Sequence, residues 1–97
     1  MERSPDELIA QIERGNAMRS ALENPSFLEA VEHLTTYHLS ALIACRPGYA
    51  ADQEALTHHH TMHHAITEIL AQMAQWQETG EATSRVLEWQ REHGDND

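Results

Sequence analysis

Five histidines stand within seven residues: His58, His59, His60, His63 and His64, in the run His-His-His-Thr-Met-His-His. Imidazole is a common metal ligand and the side chain that titrates nearest neutrality. The run therefore offers three kinds of chemistry: a metal site, a pH-sensitive surface, or a polar seam between helices. Side chains four apart on a helix share a face. His59 and His63 make one such pair, His60 and His64 another, and Glu68 extends the second row. A divalent metal such as zinc or nickel accepts that ligand set. A structural site needs about four ligands, so His33, His38 or a second copy of the chain would have to complete it. His63 also falls within an apolar stripe, where a histidine bonded to a carbonyl or hydroxyl belongs to the packing. The run is read mainly as the polar part of a helix–helix seam. Such a seam loosens as pH falls through about 6.5, the ordinary imidazole value.

Other chemistry is scarce. No glutamate has a histidine three residues on, which removes the paired Glu-x-x-His motif of a carboxylate-bridged di-iron bundle. There is no Gly-rich phosphate loop, no nucleophile elbow and no pair of cysteines. Cys45 is the lone thiol, so no internal disulfide forms and a reducing compartment is expected. The expectation is a non-enzymatic protein with no catalytic residues and no cofactor, a divalent metal at the histidine run being the one alternative.

The elements that position these residues are helices. Ser4-Pro5-Asp6-Glu7 is a helix start: serine caps, proline suits the first position, and Glu7 completes a capping box. Leu8, Ile9, Ile12, Met18 and Leu22 then recur at helical spacing to about residue 23, with Gly15-Asn16 marking a kink or a close helix contact. Asn24-Pro25 breaks the chain and caps a second helix, about 25–45. Its stripe holds Phe27, Val31, Leu34, His38, Ala41, Leu42 and Cys45, and no fixed charge appears between Glu32 and Arg46. A helix so neutral all round is covered on most faces, either within the chain's own bundle or by another subunit. Arg46-Pro47-Gly48-Tyr49 reads as a turn. A third helix, about 52–79, carries Leu56, His59 or His60, His63, Ile66, Leu70, Met73 and Trp76 at near-heptad spacing. Gly80 is expected to end it, with a short fourth helix over 81–93 and a frayed acidic tail over 94–97. The fold expected is a single all-α domain: an antiparallel bundle of three main helices plus the short C-terminal one.

The chain of 97 residues carries 16 acidic and 6 basic residues, a formal charge of −10. That surface repels phosphate, so direct nucleic-acid binding is not expected. No apolar stretch is long enough to cross a membrane, and the first residues lack the order of a signal peptide. Protein is the expected partner: the chain itself, a companion protein, or a basic protein drawn to the acidic surface. The residues expected at contacts are Leu34, Tyr37, Leu42 and Ile43 of the second helix, Leu56 and Ile66 of the third, and Trp89 near the end. Aromatic anchors such as Trp89 are favoured at interfaces.

The order of residues resembles a group of small all-helical proteins encoded in phage structural and assembly gene modules. Three segments carry the resemblance: Leu8-Ile9-Ala10-Gln11-Ile12-Glu13-Arg14-Gly15, the Ala21–Ala30 stretch with Asn24-Pro25-Ser26-Phe27-Leu28-Glu29-Ala30, and a long helix ending near Thr79-Gly80. It spans roughly residues 7–80. It implies a phage setting, in the virion or the host cytoplasm, and a structural or assembly role without enzymatic activity. It brings no catalytic residues. The histidine run and residues 81–97 depart from the pattern. An acidic phage-encoded inhibitor of a basic host protein, and a histidine-based metal-binding bundle, are the other two readings.

Overall fold

The computed structural model describes residues 4–94. Among them are three helices and no strand: α1 (Pro5–Glu23), α2 (Pro25–Ala44) and α3 (Ala50–His93). The chain is all-α. Residues 95–97, most of the expected acidic tail, lie outside the described part, as do residues 1–3.

Each helix start has a local cause. The Ser4 hydroxyl accepts from the Glu7 amide at 3.3 Å. The Asn24 side chain accepts from the Phe27 amide at 3.1 Å, with Pro25 following it. These bonds satisfy amides that the first helical turn leaves without partners. The α2–α3 turn uses Gly48 at φ 81°, a backbone geometry that favours glycine. Asp52 closes that turn, taking the Arg46 backbone amide and its Nε, each at 2.9 Å. The Arg46 guanidinium also lies 4.0 Å from the centre of the Tyr49 ring.

The chain divides into two compact units, and the division falls inside α3. The first contains α1 and the part of α3 from Gln72 onward. Its centre is glycine against glycine: Gly15 and Gly80 are both buried, and a Cβ built on either would lie 2.9 Å from the other's Cα. Around them Gln11 accepts from the Thr83 hydroxyl at 3.0 Å. The Arg14 guanidinium lies 4.5 Å from the Trp76 ring centre. Leu8 shares an apolar dent with Val86 and Leu87.

The helix stop expected at Gly80 does not occur, and the separate helix over 81–93 is instead the end of α3. The reason is tertiary. Gly80 is where the two backbones meet, and a residue with no Cβ is what that approach requires. The close helix contact at Gly15 is the other half of the same feature.

The second unit, residues 24–71, pairs α2 with the first half of α3. Phe27 and Val31 face Ile66 and Leu70, with Leu34 and Ile69 beside them. His38 meets His59. The half-buried positions Asp52, Leu56, His59, His63, Ile66 and Leu70 of α3 are three or four apart, with Ala65 half-buried beside them. That is the spacing of a two-helix seam.

One seam per pair is thin packing. Among the described residues no apolar side chain is fully buried, and the one buried polar side chain is His38, 4% exposed. Large apolar groups remain in the open: Ile43 is 79% exposed, Trp89 61%, Ile69 59% and Tyr37 58%.

Candidate functional site

The α2–α3 seam of the second unit gathers most of the chain's distinctive side chains. His38 comes from the neutral stretch of α2, and His59 from the histidine run on α3. Their Nδ1 atoms lie 2.8 Å apart. At neutral pH one ring must be the Nδ1–H tautomer and donate, while the other is the Nε2–H tautomer and accepts. Tyr37 and His58 complete the cluster. The Tyr37 ring meets His38 edge-on at 5.0 Å and His59 at 5.6 Å, and His58 meets His59 at 4.9 Å.

Burial first, and the neighbouring imidazoles His59, His58 and His63 second, hold the His38 pKa below its ordinary value. No carboxylate contributes to that shift. The pair tolerates one proton, since an imidazolium can still donate to a neutral ring. A second proton leaves two donors facing each other and no acceptor. The site can therefore register acidification as a change in the fit of α2 against α3.

The other histidines go elsewhere. His63 is half-buried in the same seam, and its carbonyl accepts from the Thr67 hydroxyl at 3.0 Å. His60 and His64 are exposed, and His64 Nε2 stands 3.5 Å from the Glu68 carboxylate. The four histidines proposed as metal ligands do not converge. Among the described residues, no group of three or more His, Cys, Asp or Glu side chains is placed to hold a metal ion. The Cys45 thiol donates to the Ala41 carbonyl at 3.3 Å, as an ordinary helix-end residue does.

Of the residues expected at contacts, Leu34, Tyr37, Ile43 and Trp89 are exposed, while Leu42, Leu56 and Ile66 are half-buried. Trp89 stacks on His93, ring centres 4.6 Å apart, and the His93 imidazole lies 2.9 Å from the Trp89 carbonyl.

In comparisons with known proteins, no family model matches this chain, and neither does any curated protein or solved structure. The site thus rests on its own geometry.

Sequence reasoning placed His38 on the apolar stripe of α2 and His59 or His60 on that of α3, and joined them only as candidate metal ligands, not as a hydrogen-bonded pair. The signal was present: both stripes are neutral, and each carries a histidine among packing residues. Met62 and Ile69 were not singled out as contact residues. They lie seven apart on a stripe of α3 adjacent to the seam, and both are exposed. Among the described residues, no helix is long and apolar enough to cross a membrane.

Proposed function

We propose that this chain is a non-enzymatic structural or assembly protein that acts through protein–protein contacts as a homo-oligomer. One observation carries the reading. Among the described residues the chain buries no apolar side chain fully, yet holds Leu34, Tyr37, Ile43, Ile69 and Trp89 in the open. Of these, Leu34 and Ile69 line one apolar dent across the α2–α3 pair, and exposed apolar surface that runs together in this way marks a contact site. A thin, single-seam helix pair gains the missing layer by packing on another protein.

The same reading takes the helices as antiparallel neighbours within each unit. The order of contacts supports this: Gln11 with Thr83 and Gly15 with Gly80, then Val31 with Ile66 and His38 with His59. The resemblance of residues 7–80 to phage structural-module proteins supplies the setting, a virion or its assembly in the host cytoplasm. Co-purification from infected or co-expressing cells tests that setting. Recovery of a capsid, portal or tail protein with the chain supports it, and recovery of the chain alone counts against it.

The charge of −10 favours one other reading, an acidic inhibitor of a basic host protein. Its mark would be a host partner released by modest salt, because attraction between exposed charges is screened within about 10 Å at 0.1 M salt. A partner retained at high salt, or none, removes that reading.

A further inference from the structure

We infer that mild acid opens α2 from residues 50–71 of α3, while α1 and the rest of α3 stay together. The response of the His38–His59 pair to protons is then a local opening of one unit, whatever the oligomeric state.

The histidines are divided unevenly between the two units. Of the eight, all but His93 lie in the unit of residues 24–71. His93 is exposed and stacked on Trp89. The contacts that join α1 to α3 are Gly15 with Gly80, Gln11 with Thr83 at 3.0 Å, and Arg14 with the Trp76 ring. None of these residue types exchanges a proton between pH 7 and pH 5.

The α2–α3 seam is built otherwise. Among the described residues its His38 is the one buried polar side chain, and the His38 and His59 Nδ1 atoms lie 2.8 Å apart. Packed about the pair are Tyr37 on α2 and His58 and His63 on α3. The carboxylates of this unit are Glu29, Glu32, Asp52, Glu54 and Glu68, and none of them acts on His38. Asp52 is taken by Arg46, and Glu68 stands by His64. A second proton on the pair thus meets a like charge and a second donor, with no anion to offset either.

The closed form holds one proton between the two rings, and the open form holds two. At pH 5 an imidazole of ordinary pKa is about thirtyfold more often protonated than not. The open form gains by that factor for the proton the closed pair refuses, or by about tenfold where the shared proton offsets part of it. Little else resists. Phe27 and Val31 against Ile66 and Leu70 are only half-buried, and opening uncovers them. The turn between the helices persists in mild acid, because Arg46 holds the Asp52 carboxyl below its ordinary value. It tethers α2 and lets the seam close again.

Hydrogen–deuterium exchange of the untagged full chain tests this, read by mass spectrometry at pH 7.5 and pH 5.0 and corrected for the intrinsic pH dependence of exchange. Most helical stability comes from tertiary packing, so a detached α2 exchanges its amides. Amides of residues 28–43 should lose about tenfold to thirtyfold in protection at pH 5.0, while those of 9–22 and 76–90 keep theirs. A loss of equal size in both units, or in neither, overturns the inference. His38→Gln leaves an oxygen that can accept from a protonated His59, and should remove most of the loss. His60→Gln, at an exposed position, should leave it unchanged. An equal loss in His38→Gln and wild type also overturns it. If His38→Gln already lacks protection over 28–43 at pH 7.5, His59→Gln takes its place under the same criterion, and the wild-type comparison of the two units stands by itself.

Discussion

Replacing Gly15 with alanine sets two effects of known size against each other. In an isolated helix the change is favourable by about 1 kcal/mol, because alanine loses less backbone entropy than glycine. In this protein the new methyl would stand 2.9 Å from the Gly80 Cα and 3.0 Å from the Trp76 carbonyl oxygen. Both are backbone atoms, so no rotamer change relieves the contact, and α1 must move away from α3. Overpacking of a close contact costs about 1–3 kcal/mol. Separating the helices also lengthens the 3.0 Å Gln11–Thr83 hydrogen bond and the Arg14–Trp76 contact beside it. The net expectation is a loss of about 1 kcal/mol. In a chain of this size that lowers Tm by about 4–8 °C. Gly80→Ala should behave alike, since its Cβ would meet the Gly15 Cα at 2.9 Å and the Gln11 carbonyl at 3.0 Å. Ser20→Ala, at an exposed position of α1, is the control and should be neutral or mildly stabilising. Thermal melts by circular dichroism at one fixed concentration would measure all three. If Gly15→Ala and Gly80→Ala each raise Tm as Ser20→Ala does, the glycine crossing is not a tight contact and the argument fails.

Other expectations concern pH and the helix starts. Because folding lowers the His38 pKa, the unfolded chain takes up a proton there first as pH falls below about 6.5, and stability declines from that point downward. Denaturant unfolding at pH 7.5 and pH 5.5 should show that decline, and His38→Gln should flatten it; an equal decline in the variant would assign the effect elsewhere. Asp52 has the opposite sign. The Arg46 side chain, then the Arg46 backbone amide, hold its carboxyl below the ordinary value, so its contribution is present near neutrality and is lost as pH falls below about 4. Asp52→Asn should remove that part of the acid-side slope. Asn24→Ala removes the acceptor of the Phe27 amide and should cost about 1 kcal/mol, read from the shift of the urea midpoint.

The all-helical character and the breaks between helices were readable from local chemistry. Asn24-Pro25 and Arg46-Pro47-Gly48 act on their own neighbours, through a cap, a fixed φ and a positive φ, and such signals do not depend on the rest of the molecule. Gly80 was misread for the converse reason. Glycine after a long periodic stretch has the same local appearance whether it ends a helix or admits another backbone, and only Gly15, 65 positions earlier in the chain, distinguishes the two. The candidate site divides in the same way. The stripes that carry His38 and His59 follow from periodicity, but their meeting depends on the register between α2 and α3. That register is set jointly by the Arg46–Asp52 turn and by the packing of Phe27 and Val31 on Ile66 and Leu70. The histidine run looked richest in ligands along the sequence, yet helical geometry sends His60 and His64 to solvent and His59 toward α2.

The account turns on the chain working in association with itself. Sedimentation equilibrium of the untagged protein, from about 1 to 100 µM at neutral pH and physiological salt, tests that most directly. The account predicts a mass that rises to a whole multiple of 11.0 kDa within that range. A single species of 11.0 kDa across the whole range would contradict it.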